Sequence, residues 1–242
     1  LSNAVTADRA SPFHEPRLSK SKIAAFEHCR RRLWLQVHRP GLARFDDQTL
    51  RIFARGHYIG EVARERTSGG VLVADDHRNL VAAMAHTRSL VSAKRLTPLF
   101  EPAFMHAGVI IRADVLAPDR WGGWSLIEVK SSTSLRPYHI RDVATQAWVL
   151  RGSKVCVSSM FLRHLKPARR GAADEPASFV DVDVTGEVLS YLPQRATVID
   201  AAKRTLAAPE PAIAAGPHCR DPFACEFLDY CQGKVVQQAA RR

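Results

Sequence analysis

Two stretches decide the fold: Val109-Ile110-Ile111-Arg112-Ala113-Asp114-Val115-Leu116 and, beyond a loop over 118–123, Trp124-Ser125-Leu126-Ile127-Glu128-Val129-Lys130. Both are short, rich in β-branched and aliphatic residues and bounded by Gly or Pro, which is the signature of strands. Residues 99–105 read as a strand before them, and His106-Ala107-Gly108 as the tight turn between. The three strands therefore form a meander. Successive side chains in a strand point to opposite faces, so Glu128 and Lys130 share one face while Ile127 and Val129 take the other. An acid in the middle strand, Asp114, and an acid–x–lysine at the end of its partner converge on one point.

Outward from this meander the hydrophobic period changes to that of helices. Helices are expected over 19–37, 48–66, 79–94, 138–150 and 187–207. Short strands are expected over 71–73, 155–162 and 179–184. Pro40-Gly41, Gly69-Gly70 and Gly152 supply the stops. This order predicts an α/β fold with a mixed central sheet and helices on both faces. The chain has 242 residues and 46% hydrophobic residues, enough for one large core. Residues 1–17 read as a flexible N-terminus in which Ser2-Asn3-Ala4 resembles a scar of tag removal. Residues 18–242 read as one domain, with 209–242 as a cysteine-rich segment behind Pro209, Pro211 and Pro217. No apolar run approaches the ~20 residues of a membrane span, and no leader peptide is evident, so the expected compartment is a prokaryotic cytoplasm.

Lys and Arg number 35 against 24 Asp and Glu, a formal charge of +11. A surplus of this size attracts polyanions, nucleic acid foremost. Arg30-Arg31-Arg32 and residues 166–170 are the densest basic spots. The acidic pair fits that partner. Phosphodiester hydrolysis needs an activated water and shielding of a phosphate that gains charge. Asp114 and Glu128 can hold a hard divalent cation, with the Val129 carbonyl as a further oxygen. Such a cation acidifies a bound water and polarises the phosphoryl oxygen. Lys130 beside it orients the water or stabilises developing charge. Gln146, polar on the otherwise apolar helix that follows, is either a surface residue or a group that handles phosphate or a metal-bound water.

Five cysteines are present, three at regular spacing in the tail, Cys219-x5-Cys225-x5-Cys231. An iron–sulfur cubane wants four thiolates. The tail supplies three, and Cys29 is the natural fourth. Zinc, held by the same four thiolates or by the tail cysteines with His218, is the competing reading, although the close cysteine pairs usual in structural zinc sites are missing. Plain buried thiols are the third. Cys156, in an apolar strand, is expected to be a small core residue.

Gly108-x5-Asp114, Glu128-Val129-Lys130 and Gln146 together resemble the RecB-like PD-(D/E)XK nucleases with a C-terminal iron–sulfur cluster, the branch of the CRISPR-associated and AddB-like exonucleases. The opening Leu18-Ser19-Lys20-Ser21-Lys22 through Cys29 to Leu33-Trp34, the helix Arg55-Gly56-His57-Tyr58-Ile59-Gly60-Glu61 and the cysteine tail are similar to the same branch, so the resemblance spans nearly all of 18–242. It implies a restriction-endonuclease-like core, Mg2+ or Mn2+, a 4Fe-4S cluster and DNA as substrate. Single-stranded or end-containing DNA is the expected form, with a helicase or another repair or CRISPR protein as partner. Many relatives read Gly-x-x-x-His-Glu in the helix before the active site, and their His joins the metal. Here Gly60 takes that place, which leaves His57 and Glu61 as candidates to complete the site. Leu150 stands where the relatives carry Tyr. The competing class is a nucleic-acid-binding module with an inactive nuclease site and a purely structural metal cluster.

Overall fold

The computed structural model describes residues 18–73, 79–93, 97–167 and 178–234. The chain opens with a two-residue strand, β1 (Leu18–Ser19), and two helices, α1 (Lys20–His28) and α2 (Arg30–His38). A long helix α3 (Asp47–Glu65), strand β2 (Val71–Leu72) and helix α4 (Leu80–Ser92) follow. Next come β3 (Leu99–Phe100), β4 (Ala103–His106), β5 (Val109–Arg112), β6 (Val115–Pro118) and β7 (Trp124–Lys130). Helix α5 (Pro137–Gly152) leads into β8 (Val157–Leu165) and β9 (Phe179–Asp183), then α6 (Thr185–Ala207) and a short final helix α7 (Leu228–Cys231).

The strands form two sheets among the described residues, one of order β1-β5-β4 and one of order β2-β3-β6-β7-β8-β9. The larger sheet is mixed: β7 and β8 run parallel, joined through α5, while β3-β6-β7 and β8-β9 are antiparallel. This is the expected α/β class, mixed sheets flanked by helices. The parallel pair needs a helical crossover, and the predicted helix between the two apolar strands supplies it.

The meander departs from expectation in one respect. Residues 99–105 and 109–116 were each expected to form one strand, yet both break at the same level. Glu101 adopts a left-handed backbone (φ 54) and is followed by Pro102, which has no N–H to give to a ladder. Across the break Glu101 N–H donates to the Asp114 carbonyl (3.3 Å) and Ala113 N–H to the Pro102 carbonyl (3.1 Å). The hairpin thus folds from one sheet onto the other, and Asp114 lies at the corner, between strands. At the far end Ala107 (φ 46) and Gly108 (φ 76) form the two-residue turn, the positive φ at both positions matching strand twist.

The helix expected over 19–37 is also divided. Cys29 is extended (φ −161, ψ 124) and both ends α1 and caps α2. The helical ladder persists around it, from Cys29 N–H to the Ala25 carbonyl and from Leu33 N–H to the Cys29 carbonyl, so the chain turns at this residue without losing its bonds.

Alternation along β7 divides the core. Leu126 belongs to the main cluster with Leu116, Leu162, Val143, Leu150, Ile199 and their neighbours from α1, α2, α5 and α6. Ile127 packs on the other face with Phe100 and Val115. Fully burying such a side chain contributes roughly 1.5–3 kcal/mol. Cys156 is exposed, which corrects the expected core role: it precedes β8, and its carbonyl accepts from Trp124 N–H.

Candidate active site

The parallel docking of β1 on β5 (Leu18 against Val109) sets the start of α1 beside the end of β7. Lys20, the first residue of α1, reaches Glu128 with its ammonium 2.8 and 2.9 Å from the two carboxylate oxygens. Lys130 donates to Glu128 Oε1 (2.8 Å) and to Asp142 Oδ2 (2.8 Å). Gln146 Nε2 donates to Glu128 Oε2 (2.7 Å). Asp114 accepts the Val129 N–H at 2.7 Å, so the corner and β7 are tied at the level of the acids. Asp114, Glu128, Val129 and Lys130, with Lys20, Glu101, Arg112 and the facing side of α3, line one cleft of about 550 Å3.

The electrostatics follow from burial. Glu128 is 2% exposed. Loss of water works against its charge, but the Lys130 and Lys20 ammoniums prevail and hold its carboxyl below the usual carboxylate range. Asp114 has weaker compensation: burial and the negative charge of Glu128 push it up to about 7. Burial also works against the charge on Lys130 and on Lys20. Glu128 and Asp142 hold the first above the ordinary lysine range, and Glu128 and Asp114 the second. Two acids that repel each other thus share a cleft in which Lys20 and Lys130 compensate their charge.

The expected residues are placed as follows. Asp114, Glu128, Val129 and Lys130 share the cleft, and Gln146, fully buried on α5, braces Glu128 from behind. His57 lines the cleft from α3. Glu61 is exposed on the same helix and is not among the cleft-lining residues. Three further groups belong to the constellation: Lys20, Asp142 and Glu101. Asp142 stands one helical turn before Gln146, an i, i+4 spacing that puts both on one face and was readable as such. Lys20 had no local signal, because a strand pairing across the sequence brings it in. Glu101 pairs with Arg64 (3.8 Å) and Arg112 (3.6 Å), and its left-handed backbone was likewise invisible in the sequence.

Fit to a divalent cation rests on two observations. The donor set is hard oxygen, two carboxylates on one cleft, which suits Mg2+ or Mn2+ completed by waters and substrate. Gln146 Oε1, on the amide that holds Glu128, is buried and has no hydrogen-bond partner among the described residues. Among the described residues no three His, Cys, Asp or Glu side chains form a ready-made single-ion site.

At the other end of α1, Cys29, Cys219, Cys225 and Cys231 line one small internal cavity, with Arg31, Arg32, His218 and Phe227 around it. Burial pushes the Cys225 thiol up to about 11 and raises Cys231 as well. The tail is clamped onto α2 by the residues that looked like a basic patch. Arg31 donates to Glu210 (2.7 Å) and to the Ile213 carbonyl (2.9 Å). Arg32 donates to Glu226 (2.9 Å), which also accepts from Gln36 (2.6 Å). Arg31 and Arg32 thus serve the fold, while of the second basic spot residues 168–170 lie outside the described residues.

No protein-family model and no curated protein matches this chain. Among solved structures it is similar to the crystal structure of SSO0001, at 14% identity over 90% of this chain and 87% of that one, with a TM-score of 0.45. It is also similar to an alkaline exonuclease, LHK-Exo from Laribacter hongkongensis, at 13% identity over 79% and 91% of the two chains, with a TM-score of 0.39. The same exonuclease in complex with dAMP gives 12%, 79%, 90% and 0.40.

Proposed function

We propose that this chain is a divalent-metal-dependent nuclease that hydrolyses DNA, with its catalytic centre at Asp114, Glu128 and Lys130. The observation that carries this reading is the convergence of both carboxylates and the lysine on one open cleft, with Glu128 held by Gln146. Asp114 and Glu128 would hold Mg2+ or Mn2+, and the carbonyl of Val129, which lines the same cleft, would add a further oxygen. The bound ion supplies acidification of a water and polarisation of a phosphoryl oxygen. Lys130, held by Glu128 and Asp142, presents a fixed positive charge where the phosphate gains negative charge. Gln146 keeps Glu128 in place and offers its free carbonyl oxygen to a water. The test is cleavage of end-labelled single- and double-stranded DNA with Mg2+ or Mn2+ and with a chelator. No divalent-dependent cutting of either would overturn the reading.

One observation favours the alternative of a binding module: the Lys20 ammonium already occupies both Glu128 oxygens. In the nuclease reading Lys20 competes with the metal and yields to it. Mn2+ affinity, followed by titration calorimetry, is then expected to be several-fold tighter in Lys20→Met than in the parent, since removing a competing cation makes the carboxylate more available. No Mn2+ binding in either protein would favour the module.

The formal charge of +11 supports a polyanionic substrate. Binding of single-stranded DNA is expected to weaken steeply with salt, by a log–log slope of about 0.7 per phosphate contacted. A flat response between low and moderate salt, read by fluorescence anisotropy, would remove electrostatics from the reading.

The four cysteines are proposed to hold a 4Fe-4S cluster. The support is that Cys29, distant in sequence, lines one cavity with the three tail cysteines. Structural zinc sites usually carry close cysteine pairs, and the intervals in Cys219-x5-Cys225-x5-Cys231 are longer. Roles in repair, recombination or CRISPR-type processing, and a helicase or similar partner, belong to the same proposal and rest on the resemblance alone.

A further inference from the structure

Helix α3 carries an apolar stripe longer than the body it packs on. In its second half Ile59 and Ala63 are buried, at 5% and 0% exposure. About two turns before Ile59 the helix overhangs the cleft: Ile52 and Phe53 line it, yet are 55% and 49% exposed. Phe53 meets Phe45 edge-on, with ring centroids 5.6 Å apart, so its ring is steadied by a neighbour. Gly56 and Gly60, on either side of Ile59 in the chain, both line the cleft. Glycine inside a helix costs roughly 0.5–1 kcal/mol against alanine. Packing gives no reason for it here: a Cβ on Gly56 would meet nothing within 4 Å, and one on Gly60 only the Arg64 guanidinium at 4.0 Å. Two glycines one turn apart, facing open cleft, leave a bare strip of backbone of the kind that admits close approach by a ligand. Arg51 and Arg55 are exposed on the same helix, and Arg64 lines the cleft beyond the glycines.

We propose that this face of α3 is a base-binding shelf for single-stranded nucleic acid. Ile52 and Phe53 offer an apolar surface to one unpaired base, and the Gly56–Gly60 strip lets the strand lie against the helix with a phosphodiester before Asp114 and Glu128. The choice of a nucleic-acid strand rests on the nuclease reading and on the continuity of the shelf with the carboxylate cleft. Paired bases hide their faces within the stack, so a shelf of this kind selects unpaired strands. Aromatic surfaces beside arginines are the usual means of holding such strands.

The test uses the full chain in chelator, so that nothing is cut, and fluorescence anisotropy with three labelled probes: oligothymidine, the same backbone lacking bases, and a closed-end duplex. Phe53→Ala is expected to weaken oligothymidine about tenfold, the loss of one stacked base, and to leave the baseless strand and the duplex unchanged. Gly56→Leu is expected to weaken oligothymidine likewise while raising or preserving thermal stability, which a merely damaged fold would not do. Equal binding of oligothymidine by parent and Phe53→Ala, or an equal loss for all three probes, would overturn the shelf. So would sedimentation showing a dimer that Phe53→Ala dissolves, since the face would then be a contact between copies. Mn2+ binding by titration calorimetry separates the two readings, since the Phe53 ring carries no ligand atom. It should depend on Asp114 and Glu128 and not on Phe53, so the shelf can fail while metal binding survives, and base-dependent binding in chelator can persist if the nuclease reading fails.

Discussion

Asp114→Asn and Glu128→Gln are each expected to lower Mg2+- or Mn2+-dependent DNA cleavage on the order of a thousandfold, at unchanged far-ultraviolet circular dichroism. Both replacements keep the size of the side chain and remove the charge that would hold the ion. Several kcal/mol of charge stabilisation by a metal corresponds to a rate factor of that order. Glu128→Gln carries a second consequence. Lys20 and Lys130 both point at this carboxylate, so its neutralisation leaves two partly buried ammoniums with less compensation. Lys130→Ala is expected to cost about a hundredfold, the usual loss for one oriented charge-stabilising donor, while Mn2+ binding persists because an ammonium is not a ligand. Cleavage at the parental rate by Asp114→Asn would remove the cleft from the mechanism. Cleavage at that rate by Lys130→Ala would reduce Glu128-Val129-Lys130 to an ordinary strand face.

The second large effect is expected at Cys29. If the cluster is bound as proposed, Cys29→Ser removes the thiolate that joins the start of the domain to its tail, a span from residue 29 to residue 219. Closing so long a loop restricts the unfolded chain. By the chain-entropy estimate such a link is worth about 4–5 kcal/mol, and its value grows only slowly with length. For a chain of this size that corresponds to a fall in Tm of roughly 10 °C. Anaerobically purified Cys29→Ser is expected to lose the visible absorbance and this stability together, and Cys225→Ser to match it. Cys156→Ser, exposed and remote from the cavity, is expected to change neither. A Cys29→Ser protein with full iron and sulfide content would exclude Cys29 from the ligand set. Stoichiometric zinc and no iron in anaerobic parent protein would replace the cluster by a single ion. Arg31, Arg32 and Gln36 also hold the tail to α2, so the variant is expected to be destabilised and still folded.

Local pattern determined a good deal about this protein. Alternation in 124–130 set Glu128 and Lys130 on one face and Ile127 on the other, because side-chain direction in a strand depends on nothing beyond parity. Helical spacing located α3, α4, α5 and α6 to within a few residues, and the Ala107-Gly108 turn followed from its backbone demands. Cysteine spacing singled out the tail, since three thiols at equal intervals after a proline-rich linker are hard to explain by packing. Tertiary structure alone decided what depends on distant neighbours. The hairpin corner at Glu101-Pro102 and Asp114 arises because one chain must serve two sheets, and a strand pattern contains no record of that demand. Lys20 enters the cleft through the pairing of β1 with β5 and there meets Glu128, 108 residues away in sequence. The basic run Arg30-Arg31-Arg32 stood out in sequence only as a dense basic spot, for nucleic acid or as a solvated face, yet Arg31 and Arg32 are spent on Glu210 and Glu226, because a charge has no partner in sequence until folding supplies one. For the same reason the exposure of Cys156 and the overhang of α3 lay beyond periodicity: it tells which side of an element is apolar, and only the packed molecule tells whether anything covers that side.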